Sequence, residues 1–209
     1  MGRDDWYRNT SWDADIEAAF FKKLSSARDK AQYLRIQASY LAPAHPEIAL
    51  RLLDRYFALR EHFDHAQAHV ERANAYAALE DIDAAILSYD SALAREKAYP
   101  SLLTSAYLDL PSLIVTKQRR EHYAKAMHVL TEHKTRLAFP DERYKWHGLR
   151  AMLLEDEGRT LEARDAANAA LEAASAVQSG FRNHAKVGLV ADTTDAFGRA
   201  VMKIAGRLH

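Results

Sequence analysis

The sequence of 209 residues predicts an all-α fold, and three observations carry that expectation. Alanine occurs 39 times against seven valines and seven isoleucines; alanine is the best helix former, whereas the β-branched pair prefer the pleated sheet. Apolar residues recur at helical spacing in stretch after stretch, as in Ile16, Phe20 and Leu24, in Leu34, Ala38 and Leu41, and in Phe197, Val201 and Ile204, while alternating strand patterns are absent. Turn-forming punctuation cuts these stretches into helices of ordinary length, at Pro43 to Pro46, Glu80 and Asp81, Tyr99 to Ser101, Phe139 to Asp141, Gly158, and Ser179 with Gly180.

Taken in order, the elements begin with an amphipathic segment from Ser11 to Arg28, preceded by Trp6, which either folds back as a cap or protrudes toward a partner. Pro46 suits the first turn of a helix, where its missing N–H costs nothing, and Asp64 with Gln67 three residues later has the form of a capping box. Pro111 inside an apolar run predicts a longer, kinked or interrupted helix between Ser101 and Lys117. Asp141 after Pro140 is expected to cap another helix, and the segment from Asp192 to Leu208 forms a last amphipathic helix.

Composition narrows the chemistry. Without cysteine there are no disulfides, thiolate zinc sites or cysteine nucleophiles, and the chain fits a reducing, cytoplasmic compartment. The polar N-terminal stretch does not read as a secretory signal, and charged residues interrupt every apolar run before the roughly 20 residues of a bilayer span. Twenty-nine basic and 29 acidic residues cancel, so the field that steers nucleic acid or anionic membranes is missing; the basic cluster Lys117, Arg119 and Arg120 reads as a solvated helix end. Seven scattered glycines form no phosphate loop, and a chain without strands offers no setting for a nucleophile elbow, so no cofactor and no catalytic residues are expected.

Internal repetition is the most informative feature. From about His65 to Lys97 runs the series Ala73, Tyr76, Leu79, Ile82, Ala85, Ile86, Tyr89, Ala92 and Leu93; from about Asp141 to Ala174, Ala151, Leu154, Gly158, Ala163, Ala167, Ala170 and Leu171 stand at matching places. Fainter copies hold Ala38, Leu41, Ala49 and Leu53, and Tyr123, Ala126, Met127 and Leu130. Two antiparallel helices approach closely only where a small residue on each admits the other's large one, which is what Ala73 with Ala85 and Ala151 with Ala163 provide. The second-helix alanines 49, 85, 126 and 163 are separated by 36, 41 and 37 residues.

This series resembles the tetratricopeptide repeat family across residues 31–176, with departures at Arg72, Arg150 and His69 and spacings above the family's usual ~34 residues. The resemblance implies an α-α superhelix, a solenoid of about four helical hairpins. An N-terminal segment and capping helix (1–30) and a linker with a C-terminal capping helix (177–209) would close its ends. It further implies a concave face lined by the first helix of each hairpin, on which a peptide or partner protein lies. Mapped onto this sequence, the partner-binding positions are Arg35, Ser39, Gln67, Val70, Glu71, Asn74, Lys145, Leu149 and Met152. Asn74 would pin a peptide backbone, and Arg35 or Lys145 would meet a carboxylate.

The expected function is a non-catalytic adaptor or scaffold. A homo-oligomer, such as a homodimer joined through the end helices, is the alternative. A metal-binding enzyme is a third reading, because His62, His65 and His69 are spaced as ligands on a helix face, although a cap at Asp64 would leave only His65 and His69 on it. The segment from Ser179 to Val190, with Gly180 and Gly188, would form an arm able to fold into the groove.

Overall fold

The computed structural model describes residues 5–59, 63–180 and 184–206. Ten α-helices and no strands occur among the described residues, so the chain is all-helical. The helices fall into two compact units, Met1–Ala106 and Tyr107–His209.

The first unit holds α1 (Ala14–Ser26), α2 (Lys30–Leu41), α3 (Pro46–Phe57), α4 (His65–Ala78) and α5 (Ile82–Ala98). Local signals start them. The carboxylates of Asp13, Asp29 and Asp81 accept from backbone N–H groups three residues on, at 2.8, 3.0 and 3.1 Å, and Pro46 opens α3. These caps satisfy N–H groups that have no partner inside the helix. Helix α2 packs on α3, α4 on α5, and α4 also on α3 and α2. The spaced alanines lie at these crossings: Ala38, Ala49, Ala73, Ala85 and Ala92 are fully buried, and Leu41 and Leu53 fill the space beside them. Trp6 folds back, its ring 5.4 Å from Phe20 and 4.9 Å from Tyr33. The N-terminal segment is fixed there by Asn9, which exchanges hydrogen bonds with the fully buried amide of Gln37.

The second unit holds α6 (Ala106–Thr116), α7 (Tyr123–Glu132), α8 (Pro140–Asp156), α9 (Thr160–Ala174) and α10 (Ala196–Ala205), with short 3-10 turns before and after α7. Helix α6 is one continuous element of 11 residues with Pro111 inside it, shorter than the 17-residue α5 before it and not interrupted. Helix α8 starts at Pro140, and Asp141 does not cap it. The Glu142 carboxylate accepts from the N–H groups of Ala138 and Phe139 at 2.8 and 3.0 Å instead, while the Asp141 carboxylate accepts from the N–H of Glu142. Ala151, Ala163, Ala167 and Ala170 are fully buried where α8 meets α9 and where α10 covers both, with Val201 and Ile204 closing that core. Gly148 lets α10 approach, since a Cβ there would stand 2.5 Å from the Phe197 ring.

One turn recurs after α4, α6 and α8. Asp81 N–H reaches Tyr76 O, Arg119 N–H reaches Ile114 O and Arg159 N–H reaches Leu154 O, each with a second, shorter loop bond behind it. This six-to-one pattern requires one residue in the left-handed region, and Glu80, Gln118 and Gly158 occupy it with φ of 60°, 52° and 75°. Among the described residues no helix is long and apolar enough to cross a membrane.

Candidate functional site

In the first unit the mapped residues converge on a buried charge network. The Arg35 guanidinium on α2 donates to Asp64 Oδ2 and Glu71 Oε1, both at 2.5 Å, and the Tyr56 hydroxyl on α3 donates to Asp64 Oδ1 at 2.5 Å. Three helices are thereby tied at one point. Asp64 precedes α4 as the sequence suggested, but no capping box forms there, because both its oxygens serve Arg35 and Tyr56. Gln67 turns its amide to Glu71 Oε1 at 3.5 Å.

One guanidinium serves two carboxylates here, which leaves a negative charge in excess. Burial pushes the Glu71 carboxyl up to about 7 against the pull of Arg35, as expected when desolvation penalises the charged form. Its Oε2 has no hydrogen-bond partner, and the residue borders a small cavity of about 120 Å³ lined also by Ser39, Ala42, Pro43 and Asn74. Asn74 is exposed, and its carbonyl oxygen accepts from the Tyr89 hydroxyl at 2.6 Å. Val70 is 2% exposed and does not face a partner.

Two of the departures from the repeat pattern, His69 and Arg72, form one stacked layer in the first unit, while the third, Arg150, lies over Trp146 in the second at 5.7 Å. Phe57 lies 4.6 Å from the His69 ring and 4.1 Å from the Arg72 guanidinium, which pairs with Asp54 at 2.7 Å. Burial, helped by nearby Arg72, lowers the His69 imidazole to about 4, so it is neutral near pH 7. His65 leans on Tyr56 and Phe57, and His62 lies outside the described residues. Among the described residues no group of three or more His, Cys, Asp or Glu side chains is arranged to hold a metal ion. The arginines of the basic cluster are engaged, Arg119 with Glu121 at 2.6 Å and Arg120 with Asp156 at 3.0 Å.

The second unit contains a cleft of about 880 Å³. Helix α6 supplies Ser112, Val115 and Thr116, α8 supplies Asp141, Tyr144, Lys145 and Met152, and α10 supplies Ala196, Phe197 and Ala200. The fourth side is the segment Leu189 to Asp192, from the loop between α9 and α10. Gly188 fastens that segment: its carbonyl accepts from Asp141 N–H at 2.8 Å, and its φ of 69° with no side chain lets it press on Phe139, whose ring a Cβ would meet at 2.4 Å. The arm anticipated from Ser179 to Val190 therefore does contribute a wall, through its last two residues.

Two mapped residues line this cleft and one does not. Met152 and Lys145 face it, whereas Leu149 is fully buried. The Lys145 ammonium already sits 2.8 Å from Asp109, as Arg35 sits on Asp64 and Glu71, so neither cation waits for a partner's carboxylate. Sequence reasoning missed Tyr144, which lines the cleft, is 7% exposed and has a buried hydroxyl without a hydrogen-bond partner. Burial and the charges of Asp195 and Asp192 push that phenol up, so it keeps its proton. A cleft of this volume, mostly apolar with a few placed polar groups, has the character of a binding site. No family model, no curated protein and no solved structure matches the chain.

Proposed function

We propose that the chain is a non-catalytic protein-interaction module with tetratricopeptide-like hairpins, an adaptor or scaffold working in the cytoplasm that holds an extended segment of a partner protein. The observation that supports this reading is the cleft of the second unit, walled by α6, α8 and α10. In a stack of hairpins these are alternate helices, the positions that line a concave face. Val115, Met152, Val190 and Phe197 offer apolar area, and the unpartnered Tyr144 hydroxyl offers a directional contact. The recurring turn after α4, α6 and α8 supports a repeated unit independently of the alanine pattern.

The test is a selection of random twelve-residue peptides displayed on phage against the immobilised chain, followed by anisotropy titration of synthetic winners. Binding that falls about tenfold or more in Met152→Glu, with helicity retained, is the expected result. If no peptide is enriched, or the winners ignore Met152→Glu, the docking reading fails. A dimer whose mass in sedimentation equilibrium is independent of concentration, together with failed selection, would favour self-assembly instead.

A further inference from the structure

The docking reading says where a segment lies; the charges around the cleft say what kind. Among the described residues three carboxylates line it, Asp141, Asp192 and Asp195, against one cation, Lys145, which is held by Asp109 at 2.8 Å. Each carboxylate keeps one oxygen on a local backbone N–H: Asp141 on Glu142, Asp192 on Thr194 and Asp195 on Gly198, at 2.8, 2.8 and 2.7 Å. Arg199, the nearest other cation on α10, donates to the Thr194 carbonyl. The lining therefore carries net negative charge with acceptor capacity left over.

A second feature converges on the same place. Tyr144 is more than nine-tenths buried, and its hydroxyl stands without a hydrogen bond in the field of Asp192 and Asp195. A buried polar atom left unpaired costs stability, so a hydrogen-bonding group brought to it through the cleft is favoured. The hydroxyl can accept as well as donate, and the carboxylates beside it favour a positively charged donor, so an ammonium or guanidinium suits both. The apolar wall of Met152, Phe197 and Val115 suits the methylene stem of such a side chain.

We propose that the second-unit cleft receives a lysine or arginine side chain of the bound segment. Its charged head lies between the Tyr144 hydroxyl and the Asp192 and Asp195 carboxylates, and its stem lies along Phe197 and Met152. This rests on the docking reading and specifies the partner as a segment bearing a basic residue beside aliphatic ones.

The experiment uses the full chain and peptides from the selection described above, each remade with its basic residue replaced by norleucine and by glutamate. The expected result is that the winners share a Lys or Arg, that norleucine weakens binding at least tenfold and glutamate more, and that affinity falls between 50 and 300 mM salt. Tyr144→Phe should weaken the lysine peptide about fivefold and leave the norleucine peptide unchanged. Since that hydroxyl makes no bond within the chain, the urea midpoint of Tyr144→Phe should match or exceed the wild type. Asp192→Asn serves as the second variant, with the same selectivity expected. Peptides that bind the cleft equally well with norleucine, losing affinity only in Met152→Glu, would overturn the basic-residue site while leaving the docking reading standing. Failure to enrich any peptide would remove both.

Discussion

Glu71 is the residue on which the first unit's electrostatics turn. Its carboxyl is raised to about 7 in the folded chain from an ordinary value of 4.5, so between those pH values the folded state holds a proton that the unfolded state has released. A raised group contributes stability that is fully present below its unfolded value and is lost as pH rises through its folded one. Wild-type stability should therefore decline from pH 4.5 to about 7.5 relative to Glu71→Gln, by roughly 2 to 3 kcal/mol given 1.36 kcal/mol for each pH unit. Urea denaturation of both proteins at intervals across that range measures it; parallel curves would mean that Arg35 holds Glu71 ionised throughout. Asp64 explains why the residue scale is hard to read from a sequence. Its position before α4 and the glutamine three residues on match a local cap, yet its partners Arg35 and Tyr56 stand 29 and eight residues away. A long-range ion pair outcompetes a local backbone bond because a buried guanidinium left unpaired costs more than an exposed helix end left to water.

At the scale of the element, the recurring turn gives a graded series. All three copies place one residue at positive φ, but only Gly158 is a glycine, and nothing lies within 4 Å of a Cβ built there. The cost of Gly158→Ala is then backbone strain alone, about 1 kcal/mol, and Glu80→Gly and Gln118→Gly should each gain a few tenths to about 1 kcal/mol by relieving the same strain. Midpoints of urea unfolding for the three variants check the signs together, and a loss on Glu80→Gly would show that its side chain does more than bear the strain. The helices themselves were legible in the sequence because small residues at closely packed crossings have no substitute, and Ala38, Ala49, Ala85, Ala151 and Ala163 are all fully buried. The site was legible only in part. Carrying positions over from the repeat put Lys145 and Met152 on the cleft but also chose Val70 and Leu149, which lie in the core one turn or less from partly exposed neighbours. Tyr144 and the Leu189 to Asp192 wall had no counterpart in the repeat pattern, since one is an aromatic at a position where helical spacing reads as core and the other is a loop.

For the whole molecule, the division into two units has an energetic meaning. Phe20, Leu41, Leu53 and Tyr56 belong to one core, and Ala151, Leu154, Ala167 and Val201 to another. In chains built of stacked hairpins, stability is held locally and each unit depends first on its own neighbours. Leu53→Ala should cost about 2 to 5 kcal/mol, the range for a fully buried leucine, and hydrogen exchange should quicken in α2 to α4 while amides of α8 and α9 keep their protection. Uniform quickening across the chain would instead mark one cooperative body. The Gly188 clasp bears on how such a molecule changes over generations. One wall of the cleft is a strip of irregular chain fastened at Gly188 and by Val190, which packs on the second unit's core, so its exposed residues Ala191 and Asp192 can vary without disturbing a helix crossing. On the proposed docking reading, taste in partners can drift there while the helices stay put.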